Sequence, residues 1–217
     1  MDRDHISQLQ PLKICDGWSV VLNNLNSEKI MEEKCELLIL QNEKRNALIK
    51  VIYESDQYHI KIVSLKKDKI YEEDSFDEIE QLLEELEYQI WSVGSGILED
   101  LQPLTQQVPN FLRVKIPAGW TVDYITLKDT DPKTLETNDD AWLFDFNQDL
   151  LQISHKTKNL LLDIGWYPEG DPTGCYGIEL IKIEDWENPV EDVRSSKISE
   201  LSLILDSIFV KEINNEY

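Results

Sequence analysis

The sequence predicts an α+β fold built as two tandem repeats, each an antiparallel β-meander with a C-terminal helix packed on one face. Three observations carry this. The stretch Leu12-Lys13-Ile14-Cys15-Asp16-Gly17-Trp18-Ser19-Val20 returns as Val114-Lys115-Ile116-Pro117-Ala118-Gly119-Trp120-Thr121-Val122. A β-rich stretch follows each copy. Each half then closes on an amphipathic helical pattern, near 75–91 and 196–209. The period is too long for a solenoid unit but suits two small domains, each burying its own core. The expected boundaries are 1–93 for the first repeat, 94–111 for a connector and 112–217 for the second repeat.

In the first half, 18–22 reads as a strand broken by Asn23-Asn24, and 28–34 as a charged loop or short helix. Residues 37–40 form an apolar, buried strand, 42–46 have turn chemistry, and 47–53 form the next strand. Residues 58–63 alternate polar and apolar, the period-two sign of a half-buried strand. Ser75-Phe76-Asp77-Glu78 reads as a capping box. Behind it Ile79, Leu82, Leu83, Leu86 and Ile90 recur at helical spacing. Glu80, Glu84, Glu85 and Glu87 lie off that stripe and are expected to face water. Gly94-Ser95-Gly96 ends the helix, and Pro103 and Pro109 punctuate the connector.

In the second half, strands are expected at 120–127, 141–146, 150–155, 160–167 and 176–183. A turn-rich insertion occupies 168–174 and a loop 185–189. Ile198, Leu201, Leu205 and Ile208 make the closing helix, capped at Ser195 or Ser196. Two separate sheets and one continuous sheet are both compatible with this pattern.

The 217 residues carry a formal net charge of −22 with 41% hydrophobic content, enough apolar side chains for real cores despite the acidity. No basic stripe interrupts the charge, so nucleic acid and anionic membranes are unsuitable partners, whereas a basic protein would be attracted. Cys15, Cys35 and Cys175 are an odd set without CxxC spacing, which implies neither a disulfide framework nor a zinc ribbon. The polar start Met1-Asp2-Arg3-Asp4-His5 does not resemble a signal peptide, and no apolar run reaches the ~18 residues of a membrane helix. The expectation is a soluble, reduced, cytoplasmic protein.

The Gly-Trp pairs, Gly17-Trp18 and Gly119-Trp120, read either as binding platforms or as turns that seat a core tryptophan; duplication at equivalent places favours the core. His59 sits between apolar strand neighbours and reads as a sheet residue rather than a general base. No GxSxG, HExxH, phosphate loop or Cys–His pairing occurs, so neither an enzyme nor a cofactor or metal is expected. The least generic segment is Asp163-Ile164-Gly165-Trp166-Tyr167-Pro168-Glu169-Gly170-Asp171-Pro172. Asp163, Glu169 and Asp171 offer oxygen ligands for a hard cation, but without EF-hand spacing a recognition loop with exposed aromatics is the better reading. The acidic stretch 72–87, with Glu72, Glu73, Asp74, Asp77, Glu80, Glu84 and Glu87, reads as a helix face that is either simply solvated or a partner surface.

That segment, with 176–183, the turn Asp185-Trp186-Glu187-Asn188-Pro189 and the closing helix, resembles immunity proteins of bacterial polymorphic-toxin systems over about residues 160–209. The first half shares the strand–helix plan but lacks both motifs. The resemblance implies a non-enzymatic cytoplasmic inhibitor that occludes a cognate toxin domain, often a nuclease and therefore basic. The partner-binding candidates are Trp166, Tyr167, Glu169, Asp171, Trp186, Glu80, Glu84 and Glu87. The alternative is a structural or adaptor protein of a larger assembly, its charge serving solubility alone.

Overall fold

The computed structural model describes residues 3–26, 34–66, 70–96, 107–183 and 185–217. Most of the expected loop at 28–34 and of the connector at 94–111 lies outside these residues.

Among the described residues ten strands join one antiparallel sheet. After helix α1 (Arg3–Gln8) come β1 (Ser19–Asn23), β2 (Lys34–Asn42), β3 (Ala47–Glu54), β4 (Gln57–Ser64), β5 (Ile70–Phe76) and helix α2 (Ile79–Gly94). Then follow β6 (Thr121–Ile125), a short helix α3 (Ala141–Phe144), β7 (Leu151–His155), β8 (Leu160–Tyr167), β9 (Cys175–Lys182), β10 (Glu191–Ser195) and helix α4 (Ile198–Ile213). The strand order is β10-β9-β8-β7-β6-β1-β2-β3-β4-β5, so each half is a meander and the two meet at a β1–β6 seam.

The seam explains the Gly-Trp pairs. Val20 N–H donates to the Trp120 carbonyl (2.8 Å) and Val122 N–H to the Trp18 carbonyl (2.9 Å). Gly17 N–H donates to the Val122 carbonyl and Gly119 N–H to the Val20 carbonyl, each at 2.8 Å. Gly17 and Trp18 thus face one residue of the other strand, as do Gly119 and Trp120, which is the two-against-one count of a β-bulge. Gly17 has φ +85° and Gly119 φ +98°, where a side chain is strained. At the centre Ser19 stands opposite Thr121, 102 residues on, with the two hydroxyls 2.8 Å apart. Leu12 pairs with Val114 at the same separation, and the Leu9–Asn26 bridge is matched by Phe111–Lys128.

Beyond each bulge the tryptophan turns away from the hydroxyl face into the core, and both are fully buried. The Trp18 indole donates to the Ile90 carbonyl in α2 (3.0 Å), and the Trp120 indole to the Glu212 carboxylate in α4 (3.4 Å). Both helices therefore lie on one face of the sheet. The core there takes alternate residues of β3 (Ala47, Ile49, Val51, Tyr53) together with Leu82, Leu86 and Ile90 of α2 and Leu201, Leu205 and Phe209 of α4. No helix among the described residues is long and apolar enough to cross a membrane.

Several local expectations change. Ser75 belongs to β5, and α2 starts after Glu78 without a side-chain cap, so the capping box does not form. Glu72, Glu73 and Asp74 consequently lie on an edge strand rather than on the helix. Ser195 ends β10; its hydroxyl accepts from Lys197 N–H (3.2 Å) and donates to Glu200 (2.6 Å), and α4 begins after Lys197. The expected strand at 141–146 is instead α3, because the Asp139 carboxylate accepts from Ala141 N–H (2.9 Å) and turns the chain.

Candidate functional site

The second half bears the more distinctive end of the molecule. Trp142, Phe146, Trp166 and Tyr176 pack as one ring cluster, with centroid separations from 4.7 Å (Trp142–Phe146) to 6.4 Å (Phe146–Tyr176). Trp166 is 1% exposed, and its indole donates to the Asp171 carbonyl at 2.9 Å. It supports the 168–174 loop from beneath and is buried, so it does not present the exposed surface expected of it. A Cβ at Gly174 would stand 2.5 Å from the Trp166 indole nitrogen, so the loop closes over the ring only with glycine there.

Tyr167 is 38% exposed. Its ring lies over the cross-strand pair Gly165–Gly177, its hydroxyl donates to the Gln148 carbonyl (3.3 Å), and the Arg194 guanidinium stands 5.6 Å from its centroid. Burial, then the nearby Asp163 and Glu179 carboxylates, push its phenol above the usual range. The Asp171 carboxylate accepts from both the N–H and the hydroxyl of Thr173, each 2.7 Å, which holds its pKa down and commits it to the loop. Glu169 is exposed on the same loop.

The remaining candidates lie elsewhere. Tyr167 pairs with Cys175 at one end of β8–β9 and Leu160 with Lys182 at the other, so Trp186, just past Lys182, sits at the opposite end of these strands. An eight-residue strand is roughly 25 Å long, so one compact site does not include both aromatics. Trp186 is 52% exposed on its own turn. Glu80 and Glu84 are exposed on α2 of the other half. Glu87 is 4% exposed; it accepts a forked pair from Arg113 (2.6 and 2.8 Å) and the Lys13 N–H (3.2 Å), which corrects its placement on a solvated face. The charge ties α2 to the arms that lead into both halves.

Across the face opposite the helices runs a row set by register: Tyr124, Gln152, Asp163, Glu179 and Asp192. Asp163 is 6% exposed and accepts from Gln152 (2.8 Å). Asp163, Glu169 and Asp171 do not converge as a cation site. Among the described residues the carboxylates that do converge are Glu72, Asp74 and Glu85, within 4.8 Å of one another. Burial and then Asp74 raise the pKa of Glu72 there. At the seam an open groove of about 650 Å³ is lined by residues including Ser19, Thr121, Glu43, Lys44 and Lys156.

Sequence reasoning missed Leu143 and Phe144, which are 69% and 70% exposed on α3 beside the Tyr167 loop. The Asn138-Asp139-Asp140 run ahead of the apolar residues was the signal for a helix start rather than a strand. No protein-family model, curated protein or solved structure matches this chain.

Proposed function

We propose that the chain is a non-enzymatic acidic binding protein of the immunity type, which neutralises a cognate bacterial toxin domain in the cytoplasm by occluding it. The observation that carries the reading is the Tyr167 end of the sheet. There Tyr167, Leu143 and Phe144 stand exposed on a frame of buried rings, with Glu169, Asp139, Asp140 and Asp149 exposed nearby. Rigid aromatic and apolar side chains provide contact area at little entropic cost, and a −22 charge steers a basic partner toward them. A basic nuclease fits that charge, and its polyanion-binding site is what an acidic inhibitor would cover.

The chain is further read as two tandem repeats, 1–93 and 112–217, joined by a connector. The repeated bridges and the two 16-residue helices, each meeting the tryptophan of its own half, support this. Exposed Glu80, Glu84 and Trp186 belong to other regions of the molecule and define no common site with Tyr167.

The test is a pull-down on the intact chain from its native cells at low and moderate salt, read by mass spectrometry. One basic, toxin-like protein whose capture weakens with salt is the expected result. Recovery of only housekeeping assemblies, or of nothing at either salt, favours the adaptor alternative.

A further inference from the structure

We infer that Leu143 and Phe144 form the apolar anchor of the partner interface, and that the partner is a basic protein presenting an apolar recess framed by lysine and arginine side chains. This rests on the binding-protein reading and adds where and how the contact is made.

Isolated exposed leucines are ordinary on protein surfaces. Two adjacent large apolar side chains at 69% and 70% exposure on one short, fixed helix are a different matter. The helix does not present them for lack of order. Trp142, the residue before them, is 4% exposed within the ring cluster, and its indole donates to the Glu136 carbonyl at 2.8 Å. Behind them Asp145 N–H closes on the Ala141 carbonyl (2.8 Å), and Trp166 N–H and Gly170 N–H bond the carbonyls of Asn147 (2.8 Å) and Phe146 (2.9 Å). The backbone after the pair is thus bonded to β8 and to the 168–174 loop, and the residue before the pair is held in the ring cluster. A binder benefits from such fixation because little freedom remains to be lost on docking.

Charge selects the partner. Residues 134–149 contain Glu136, Asp139, Asp140, Asp145 and Asp149 and no Lys, Arg or His. An apolar anchor within so acidic a segment disfavours a second copy of this chain and an anionic bilayer, and matches a recess with a basic rim. The rim would act mainly on encounter rate and the anchor on residence time.

The experiment places a photo-crosslinking side chain by Phe144→benzoylphenylalanine in the intact chain in its native cells. Parallel chains carry the same group at Trp186, at the opposite end of β8–β9, and at Leu203, an exposed apolar residue on α4. The expected result is an adduct from position 144 alone with one basic protein, identified by mass spectrometry. That protein, purified, should bind Leu143→Ser/Phe144→Ser at least about 30-fold more weakly, the loss given by truncating hot-spot side chains. The thermal midpoint of the double variant should be unchanged, since both side chains already face water.

A loss below about 10-fold, or a basic-protein adduct arising at 186 or 203 but not at 144, overturns the anchor while leaving the binding-protein reading in place. An adduct with a second copy of the chain overturns the choice of partner. No adduct at any position, together with no basic protein in the pull-down, overturns both.

Discussion

Asp163→Asn should make this protein more stable at neutral pH. Asp163 lies in the middle of β8 at 6% exposure, with Glu179 directly across on β9. The nearest guanidinium on this face, Arg194, is already bound to Glu179 (2.8 Å) and Asp192 (3.4 Å). Burial, then Asp149 and Glu179, raise the Asp163 pKa above its ordinary value, against the opposing pull of the Gln152 hydrogen bond. A raised carboxyl pKa means the fold binds the proton more tightly than the unfolded chain does. The ionised form therefore weakens the fold above the folded-state pKa, and stability is recovered as pH falls through it. Like charges directly opposed on neighbouring strands cost about 0.2–1 kcal/mol, and asparagine keeps the oxygen that accepts from Gln152. A gain of up to about 1 kcal/mol is expected at pH 7, or about 2–4 °C in Tm for a chain of this size. Thermal or urea melts of both proteins at pH 7 and pH 4 measure it, and the advantage should shrink at pH 4. A variant less stable than wild type at pH 7, or an advantage that does not shrink at pH 4, would refute the argument.

Arg113→Ala leaves the buried Glu87 carboxylate with only the Lys13 N–H, and urea unfolding should register a loss of about 2 kcal/mol. The loss stays below that of a wholly buried pair because the Arg113 side chain is 52% exposed, and adding Glu87→Gln should recover part of it. Gly119→Ala should cost about 1–2 kcal/mol from its positive φ alone, plus the displacement of His155, whose Nε2 would lie 2.4 Å from the new Cβ. Gly17→Ala, whose Cβ would meet Asn42 at 3.2 Å, should unfold at a higher urea concentration than Gly119→Ala. Burial lowers the His155 pKa despite the nearby Glu212 carboxylate, so its contribution is intact above about pH 6.5 and declines as pH falls below that. The stability difference between wild type and His155→Asn should therefore narrow from pH 7 to pH 5 in paired melts.

The central strands were legible in the sequence because one face of each is buried. Ala47, Ile49, Val51 and Tyr53 alternate with partly exposed residues as the period-two pattern requires. The α2 stripe was legible for the same reason at the helical period. Both outermost strands were missed. In β5, Glu72, Glu73 and Asp74 interrupt any apolar alternation, and β10 opens Glu191-Asp192; charged edges are common in natural sheets, and they mask the strand signal. Trp166 and Tyr167 are adjacent, yet one is core and the other half open, because successive side chains of a strand face opposite ways. Glu87 lies off the apolar stripe, but its end of α2 meets Lys13 and Arg113, contacts from distant segments that helical spacing cannot reveal. The join between the halves was open for the same reason, since it depends on pairing between strands about a hundred residues apart.

The arms that precede β1 and β6 cross between the halves. Lys13 and Arg113, one from each arm, hold the same carboxylate on α2, while Lys115 reaches both the Ser7 carbonyl (3.1 Å) and Asp206 on α4 (3.0 Å). A solenoid can shed an end unit and keep the remainder. Here removal of the second half would take Arg113 from its hold on α2, and removal of either half would bare a tryptophan-bearing strand edge. The second arm alone reaches both helices, Arg113 on α2 and Lys115 on α4, so a perturbation of that short segment is expected to register in both halves at once.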